Sequence, residues 1–283
     1  MAETGTLYLV GTPIGNLADI SQRALEVLRQ VQVIACEDTR RTRILLDRNG
    51  IPTRTVSLPA FDEARRAGGL IERLLGGESV ALVTDAGMPG VSDPGTEVVR
   101  LAVEAGVTVV PVPGPSAPLA ALAASGLPTD RFTFFGFLPR KGGARRDAMA
   151  ELLSAPGTLL LFESPRRLHE TLLDLREALG DRRACVAREL TKLHEELARG
   201  RLSELAERFS GEVLGEITIV VEGRTGPAPQ EEAGDPDELL KARLAAGVSV
   251  RDAAREVAEA LGLPRKQLYQ RALELASSGG SPD

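Results

Sequence analysis

The sequence has no tryptophan and little histidine or cysteine, and each shortage narrows the functions open to the chain. Only His169 and His194 occur among 283 residues, which argues against a histidine-rich site, so we expect no resident metal. The two cysteines, Cys36 and Cys185, are far apart and fit no C-x-x-C spacing for metal binding or redox chemistry. We therefore expect both to be reduced core residues of a cytoplasmic protein.

Long apolar runs are also lacking. No stretch approaches the roughly eighteen apolar residues of a membrane-spanning helix, and no basic segment precedes the first strand, so we expect neither membrane association nor secretion. Aromatic residues make up only 3% of the chain, which makes base stacking on aromatic side chains a poor expectation. The net charge of −6 argues against a uniformly basic surface but leaves a local basic patch open.

Residues 6–112 contain a regular alternation of strand-like apolar runs and helix-like segments. Such an alternation predicts a mostly parallel sheet with helices on both faces, which we assign to a first α/β domain, residues 1–125. The predicted strands lie at 6–11, 31–36, more weakly near 53–58, at 79–83 and at 107–112.

Three loops that follow these strands are rich in glycine or proline: "GTPIGNLADI", "TDAGMPGVSDPG" and "PGPSAP". Most connections from a strand to a helix need only about two to six residues. Loops at the carboxyl ends of parallel strands line the ligand crevice, so neighbouring strands would bring all three to one small molecule. The sequence has neither G-x-G-x-x-G after a strand nor a P-loop, so we expect a ligand held without a phosphate cradle.

The second half predicts another α/β domain, residues 126–223, with strands at 132–137, 157–163, 183–189 and 215–223. Residues 224–236 are rich in Gly, Pro and acidic residues and are typical of a linker. Residues 237–276 predict a C-terminal helical module with breaks at Gly247 and Gly262. Its last turn resembles a helix-turn-helix, and a small helical packing module is an equally open interpretation.

Seven motifs, in order along the chain, carry a family resemblance: "GTPIGNLADIS", "CEDTRRT", "DAGMPGVSDPG", "VPGPSA", "SGLPTDRFTFFGFLPRKGGAR", "FESPRRL" and "ARELTKLHEE". Together they resemble the ribosomal RNA small subunit methyltransferase I family of the tetrapyrrole methylase superfamily. The resemblance implies two α/β domains of the tetrapyrrole methylase type, with the cofactor in the cleft between them, plus a small C-terminal helical module. It further implies a homodimer.

The resemblance also implies the reaction: S-adenosyl-L-methionine (SAM)-dependent 2′-O-methylation of a cytidine in the decoding region of 16S rRNA. The partner is then 16S rRNA or the small ribosomal subunit. Gly87-Met88-Pro89 stands where the tetrapyrrole branch usually has G-D-P, which disfavours a corrinoid substrate. Two rival functions stay open: a methyltransferase of the same superfamily acting on a tetrapyrrole or a protein side chain, and a SAM-sensing nucleic-acid-binding protein.

The positions that match the cofactor site of the family are Pro13, Ala86, Gly87, Met88, Val91, Ser116, Ala117, Glu163 and Ala187. A ribose hydroxyl must lose its proton during methylation, and a general base typically contributes about 10² to 10⁴-fold. The candidates are Asp38, Glu189 and Lys192, with Asp19 as a further one. For any single one of them, an exposed or ion-paired charge is the favoured interpretation. Positioning alone supplies roughly 7–11 kcal/mol in well-oriented reactions, so a base is not indispensable.

A basic stretch, "LPRKGGARR", stands out in an otherwise acidic chain. Its four charges, Arg140, Lys141, Arg145 and Arg146, surround two glycines, which favours a clamp on RNA phosphates over a merely solvated loop. Arg166 and Arg167 would extend this patch.

Overall fold

The computed structural model describes residues 4–224, 235–261 and 263–278 of the chain. The chain divides into two units, one up to Arg224 and one from Thr225 onwards, and each is described by itself. Within the described residues, no helix combines the length and apolar character needed to cross a membrane.

The first sheet of the larger unit is entirely parallel, with the strand order β3-β2-β4-β1-β5. Its central strands are buried apolar runs because helices cover both faces, which confirms the predicted parallel sheet. The strands are β1 (Thr6–Val10), β2 (Val33–Cys36), β3 (Thr55–Ser57), β4 (Val80–Val83) and β5 (Thr108–Val112).

Four amphipathic helices form these two covering layers. On one face, α1 (Gln22–Gln30) and α2 (Thr39–Arg48) bury residues such as Leu28 and Leu46 against the sheet. On the other face, α3 (Glu63–Leu75) and α4 (Thr96–Glu104) do the same. The sheet thus has two separate apolar layers, and only its strand ends are free to build a site.

The second sheet is mixed, in the order β6-β7-β10-β8-β9, and only β6 and β7 run parallel. One face is covered by α6 (Gly143–Ser154), α7 (Leu168–Leu179) and α8 (Leu202–Arg208). The edge strand β9 was not predicted, because its sequence ELARGR contains one buried residue and no apolar alternation. The strands are β6 (Phe132–Phe137), β7 (Thr158–Glu163), β8 (Arg183–Arg188), β9 (Glu196–Arg201) and β10 (Ile217–Val221).

Helix α5 (Ala117–Ser125) joins the two sheets. It begins directly after the loop that follows β5, and its Ala121 and Leu122 pack against Leu160 and Ala187 on the open face of the second sheet. The Arg199 side chain donates hydrogen bonds to carbonyl oxygens at the end of α5 and fixes it there. The loops of the first sheet therefore meet the face of the second sheet that α6, α7 and α8 do not cover.

The described residues of the smaller unit form α9 (Pro236–Ala245), α10 (Val250–Leu261) and α11 (Arg265–Ser278). Its core is formed by Leu240, Val257 and Leu268 with several alanines. The predicted break at Gly247 is present, with a left-handed φ of 80°. Gly262 and nearly all of the predicted linker lie outside the described residues.

Candidate active site

The three predicted ligand loops lie side by side because β4, β1 and β5 are neighbours in the sheet. Thr12 and Gly87 exchange two backbone hydrogen bonds of 2.9 and 3.1 Å, and the Thr12 hydroxyl donates to the carbonyl of Thr84 at 3.0 Å. Gly11 and Gly114 pack backbone against backbone, with no room for a side chain at either position. The three loops thus form one continuous wall.

This wall faces the open side of the second sheet across a cavity of about 840 Å³. Ligand pockets usually measure about 300–1,000 Å³, so the space suits one small molecule. Pro13 is absent from the cavity lining, and its neighbour Ile14 is present. The other eight predicted cofactor residues line the cavity together: Ala86, Gly87, Met88, Val91, Ser116, Ala117, Glu163 and Ala187.

One corner of the cavity is acidic, with the carboxylates of Glu37, Asp85 and Asp93. Asp85 pairs with Arg41 at 3.3 Å, whereas among the described residues Glu37 and Asp93 have no hydrogen-bond or ion-pair partner. Burial, with Glu37 and Asp85 nearby, raises the pKa of Asp93 to about 6. Burial and Asp85 likewise raise the pKa of Glu37. The described residues contain no cluster placed to hold a metal ion.

Sequence reasoning missed this corner, although Asp85 and Asp93 both stand in the motif that was read for its glycines. The sequence signal that could have revealed this corner is an aspartate near each end of the loop, Asp85 and Asp93. The backbone at Ser92, directly before Asp93, has a φ of 63°, which is uncommon for a residue other than glycine and recurs at functional sites.

Asp38 has a structural role that argues against its choice as a general base. Its carboxylate caps α2 by accepting the backbone N–H of Arg40 at 2.8 Å and forms an ion pair with the Arg40 guanidinium, also at 2.8 Å. The hydrogen bonds from Arg40 lower the pKa of Asp38 to about 2, which makes it a poor proton acceptor. Its neighbour Glu37, not Asp38, lines the cavity.

Glu189 and Lys192 are also unsuited to accept a proton, because they neutralise each other at 2.7 Å. The hydrogen bond from Lys192 and the backbone N–H of Glu216 lower the pKa of Glu189. Burial lowers the pKa of Lys192, but its hydrogen bonds to Glu189 and Glu216 outweigh burial and raise it. Asp19 is exposed and lies outside the cavity lining.

The basic stretch contains one buried and three exposed basic side chains. The buried one is Arg145, so its predicted contact with RNA is corrected. Residues 143–146 form the first turn of α6, which directs Arg145 inwards. Its guanidinium is buried, pairs with Asp174 at 2.6 Å and donates to the carbonyl of Pro139 and the hydroxyl of Thr171. The remaining charges of the stretch, Arg140, Lys141 and Arg146, are exposed.

The second predicted basic pair is divided in the same way. Arg166 is exposed, whereas Arg167 pairs at 2.6 Å with Glu163, whose side chain is completely buried. The Thr171 hydroxyl donates to the second oxygen of Glu163 at 2.7 Å. Glu163 therefore lines the cavity as a carboxylate whose charge is neutralised by Arg167.

Comparison with known protein families matches residues 6–206 to the model of Tetrapyrrole (Corrin/Porphyrin) Methylases. The chain belongs to the tetrapyrrole methylase family. A second model, "RsmI C-terminal HTH domain", matches residues 230–276, which favours the helix-turn-helix interpretation of the C-terminal module. Both the resemblance and the fold class expected from the motifs are thereby confirmed.

Several relatives of this tetrapyrrole methylase carry the name ribosomal RNA small subunit methyltransferase I. The protein from Mesorhizobium japonicum is 49% identical, covering 98% of this chain and 94% of its own length. The protein from Escherichia coli O157:H7 is 45% identical and covers 95% of each. Most of the length of both relatives is therefore represented in this chain.

Two solved structures share the fold of the larger unit. Uroporphyrin-III C-methyltransferase from Thermus thermophilus, complexed with S-adenosyl homocysteine, has a TM-score of 0.55 at 23% identity, covering 76% of this chain and 97% of that one. Diphthine synthase has a TM-score of 0.58 at 23% identity, covering 78% and 91%. The names of these two proteins refer to different substrates, so the shared fold does not decide the acceptor.

Proposed function

We propose that this protein uses SAM to methylate the 2′-oxygen of a cytidine in the decoding region of 16S rRNA. The observation that carries the proposal is near full-length similarity to relatives named for methylation of small-subunit ribosomal RNA, at 42–49% identity. We retain cytoplasmic location and a homodimer as predictions.

The cavity fits SAM in size and in chemistry. Apolar side chains, including Ile14 after β1 and Phe134 and Phe162 of the second sheet, offer a surface for the adenine and for the carbon atoms beside the sulfonium. The loop from Ala86 to Val91 and the start of α5 would hold the rest of the molecule. Bound SAM supplies a methyl group carried on a positively charged sulfur. The carboxylates of Glu37, Asp85 and Asp93 give the cavity the negative potential that a cation requires.

Asp93 is the group best placed to take the proton of the ribose hydroxyl. It lines the cavity, is half-buried, and its oxygens are not engaged by any other described residue. With its pKa raised to about 6 by burial and by Glu37 and Asp85, it is ionised at neutral pH and more basic than an ordinary carboxylate. Asp38, Glu189 and Lys192 lack this combination because their charges are already paired.

Asp93→Asn is expected to lower the methyl-transfer rate at neutral pH by about 10²-fold or more, because the amide cannot accept the proton. The wild-type rate is expected to rise with pH and level off above about 6. Initial rates measured across pH test both statements. The exposed Asp147→Asn variant is the control. Full activity of Asp93→Asn would remove Asp93 from the reaction.

The same substitution is expected to stabilise the fold. The pKa of Asp93 is about 6 in the folded protein and ordinarily 3.8. Between these two pH values the folded protein keeps a proton on Asp93 that the unfolded chain has released, so stability falls as pH rises through this range. Above it, the half-buried charge opposes folding. Urea unfolding at neutral pH should therefore show Asp93→Asn to be more stable by about 1 kcal/mol, after allowance for solvent screening.

The proposed reaction is tested by incubating the protein with labelled SAM and small ribosomal subunits from a strain that lacks the enzyme. We expect multiple turnovers, with mass spectrometry of the rRNA placing the new methyl group on a cytidine 2′-oxygen. Free 16S rRNA as a parallel substrate distinguishes naked RNA from the assembled subunit. Binding of SAM without turnover would favour the sensor, and transfer to uroporphyrinogen alone would favour the tetrapyrrole branch.

A further inference from the structure

A groove of about 540 Å³ lies beside the cofactor cavity, between residues 37–41, which follow β2, and residues 57–66, which follow β3. We call it the arginine groove. Glu37, Arg41 and Asp85 line both the groove and the cavity. A molecule seated in the groove therefore reaches the acidic corner, where the acceptor hydroxyl has to be.

Phe61 projects from the rim of the arginine groove. It lies in the short 3₁₀ turn Ala60–Asp62 ahead of α3, and 93% of its surface is exposed. Asp62 fixes the turn by accepting hydrogen bonds from Arg65 and Arg66. A phenylalanine left in water forgoes roughly 1.5–3 kcal/mol of burial. The fold thus holds an aromatic face outwards beside the active site, although only nine residues of the chain are Phe or Tyr.

The charges of the arginine groove are arranged in two levels. Three guanidiniums, those of Arg40, Arg41 and Arg66, have side chains that are 44–89% exposed. Their carboxylate partners, on Asp38, Asp85 and Asp62, are only 13–27% exposed. The less exposed carboxylates therefore orient the arginines, and the solvent-facing surface of the groove presents guanidinium N–H groups. An arginine has five such donors, so pairing with one carboxylate leaves donors for a phosphate.

We propose that the arginine groove binds the acceptor nucleotide of an unpaired RNA segment, with its base stacked on Phe61 and its flanking phosphates on Arg40 and Arg66. This inference rests on the proposed function, because it assumes an RNA acceptor. An aromatic face for the base beside cationic donors for the backbone is the recognition chemistry of single-stranded RNA. The proposal also revises the expectation, drawn from the 3% aromatic content, that base stacking is disfavoured. Stacking needs only one well-placed aromatic side chain.

Phe61→Ala is expected to weaken binding of a labelled single-stranded RNA oligonucleotide of decoding-region sequence about 10- to 100-fold. The slope of log affinity against log salt should stay the same, because every arginine that faces a phosphate is retained. Phe61→Trp should bind like the wild type, since it keeps a stacking surface. Val103→Ala, an exposed apolar position on α4 that lines neither groove nor cavity, is the control.

The double variant Arg40→Ala/Arg66→Ala should instead change the salt dependence, because each phosphate left without its arginine should reduce the salt slope by about 0.7. The triple variant Arg140→Ala/Lys141→Ala/Arg146→Ala should also reduce the slope and should leave the Phe61 effect intact. SAM affinity by calorimetry and the urea unfolding midpoint should match the wild type for Phe61→Ala, because the side chain packs against no core.

The outcomes of these experiments distinguish failure of the groove assignment from failure of the proposed function. If wild-type protein methylates rRNA while Phe61→Ala binds RNA and turns over like the wild type, the groove assignment is overturned and the proposed function stands. If wild-type protein transfers no methyl group to rRNA, the proposed function fails, and so does this inference. Loss of binding in Phe61→Trp as severe as in Phe61→Ala would also overturn stacking as the cause.

Discussion

Arg167→Met should lower the free energy of unfolding by about 3–5 kcal/mol, because it leaves a buried carboxylate without its counter-charge. The Glu163 side chain is completely buried, and its ion pair with Arg167 measures 2.6 Å. The remaining donors to Glu163, the Thr171 hydroxyl and the Ser164 N–H, carry no formal charge. Arg145 reaches Glu163 only through Thr171 and is already paired with Asp174.

Urea denaturation gives the unfolding free energy, and the neighbouring residue provides the matched control. Arg166→Met removes the same charge from an exposed side chain and should change stability by less than about 0.5 kcal/mol. The double variant Glu163→Gln/Arg167→Met should recover most of the loss, because no charge is then stranded. Equal stability of the Arg166 and Arg167 variants would show that Glu163 does not depend on its partner.

The first sheet and its three ligand loops were predictable because their causes are local. The apolar runs at 79–83 and 107–112 became β4, which is buried throughout, and the edge strand β5, of which only Val112 is buried. Glycine and proline mark a loop directly, and strand alternation fixes the edge of the sheet at which it lies. Those two signals were sufficient to bring Ala86 and Ser116 to one cavity.

Arg145 could not be predicted, because its partner is chosen by tertiary packing. Nothing in "RKGGARR" distinguishes Arg145 from Arg146, and only the rotation of α6 against α7 turns one towards Asp174 and the other towards solvent. The same holds for Asp38 and Glu37. They are neighbours in the chain, but the helix that begins at Thr39 uses one as a cap and leaves the other in the cavity.

The carboxylates that line this cavity are of two kinds, those with an ion-pair partner and those without one. Glu163 forms an ion pair with Arg167, whereas among the described residues the carboxylates of Glu37 and Asp93 form no hydrogen bond or ion pair. An unbalanced carboxylate destabilises the fold, so its presence at the cavity wall argues for a role in binding or catalysis rather than in stability. The two kinds of carboxylate should accordingly respond to neutralisation in opposite directions.

Gly114→Ala is expected to destabilise the protein by at least about 2 kcal/mol and to weaken SAM binding more than tenfold. An added Cβ would lie 2.7 Å from backbone atoms of Gly11, closer than real Cβ atoms approach. The Gly11 N–H is bonded to the carbonyl of Val112 at 3.1 Å, so the strand ends cannot separate without breaking the sheet edge. The displaced loop carries Ser116 and Ala117 of the cavity wall.

Gly68→Ala is the matched control, because the same methyl group added in the middle of the exposed face of α3 meets no atom within 4 Å. Here alanine should stabilise the protein by about 0.5–1 kcal/mol, since it reduces the backbone entropy lost on folding. Urea unfolding should thus give opposite signs for the two variants, and calorimetry should show unchanged SAM affinity only for Gly68→Ala. If Gly114→Ala were as stable as the wild type, the loops after β1 and β5 would not be in backbone contact, and the continuous wall inferred for the cavity would be wrong.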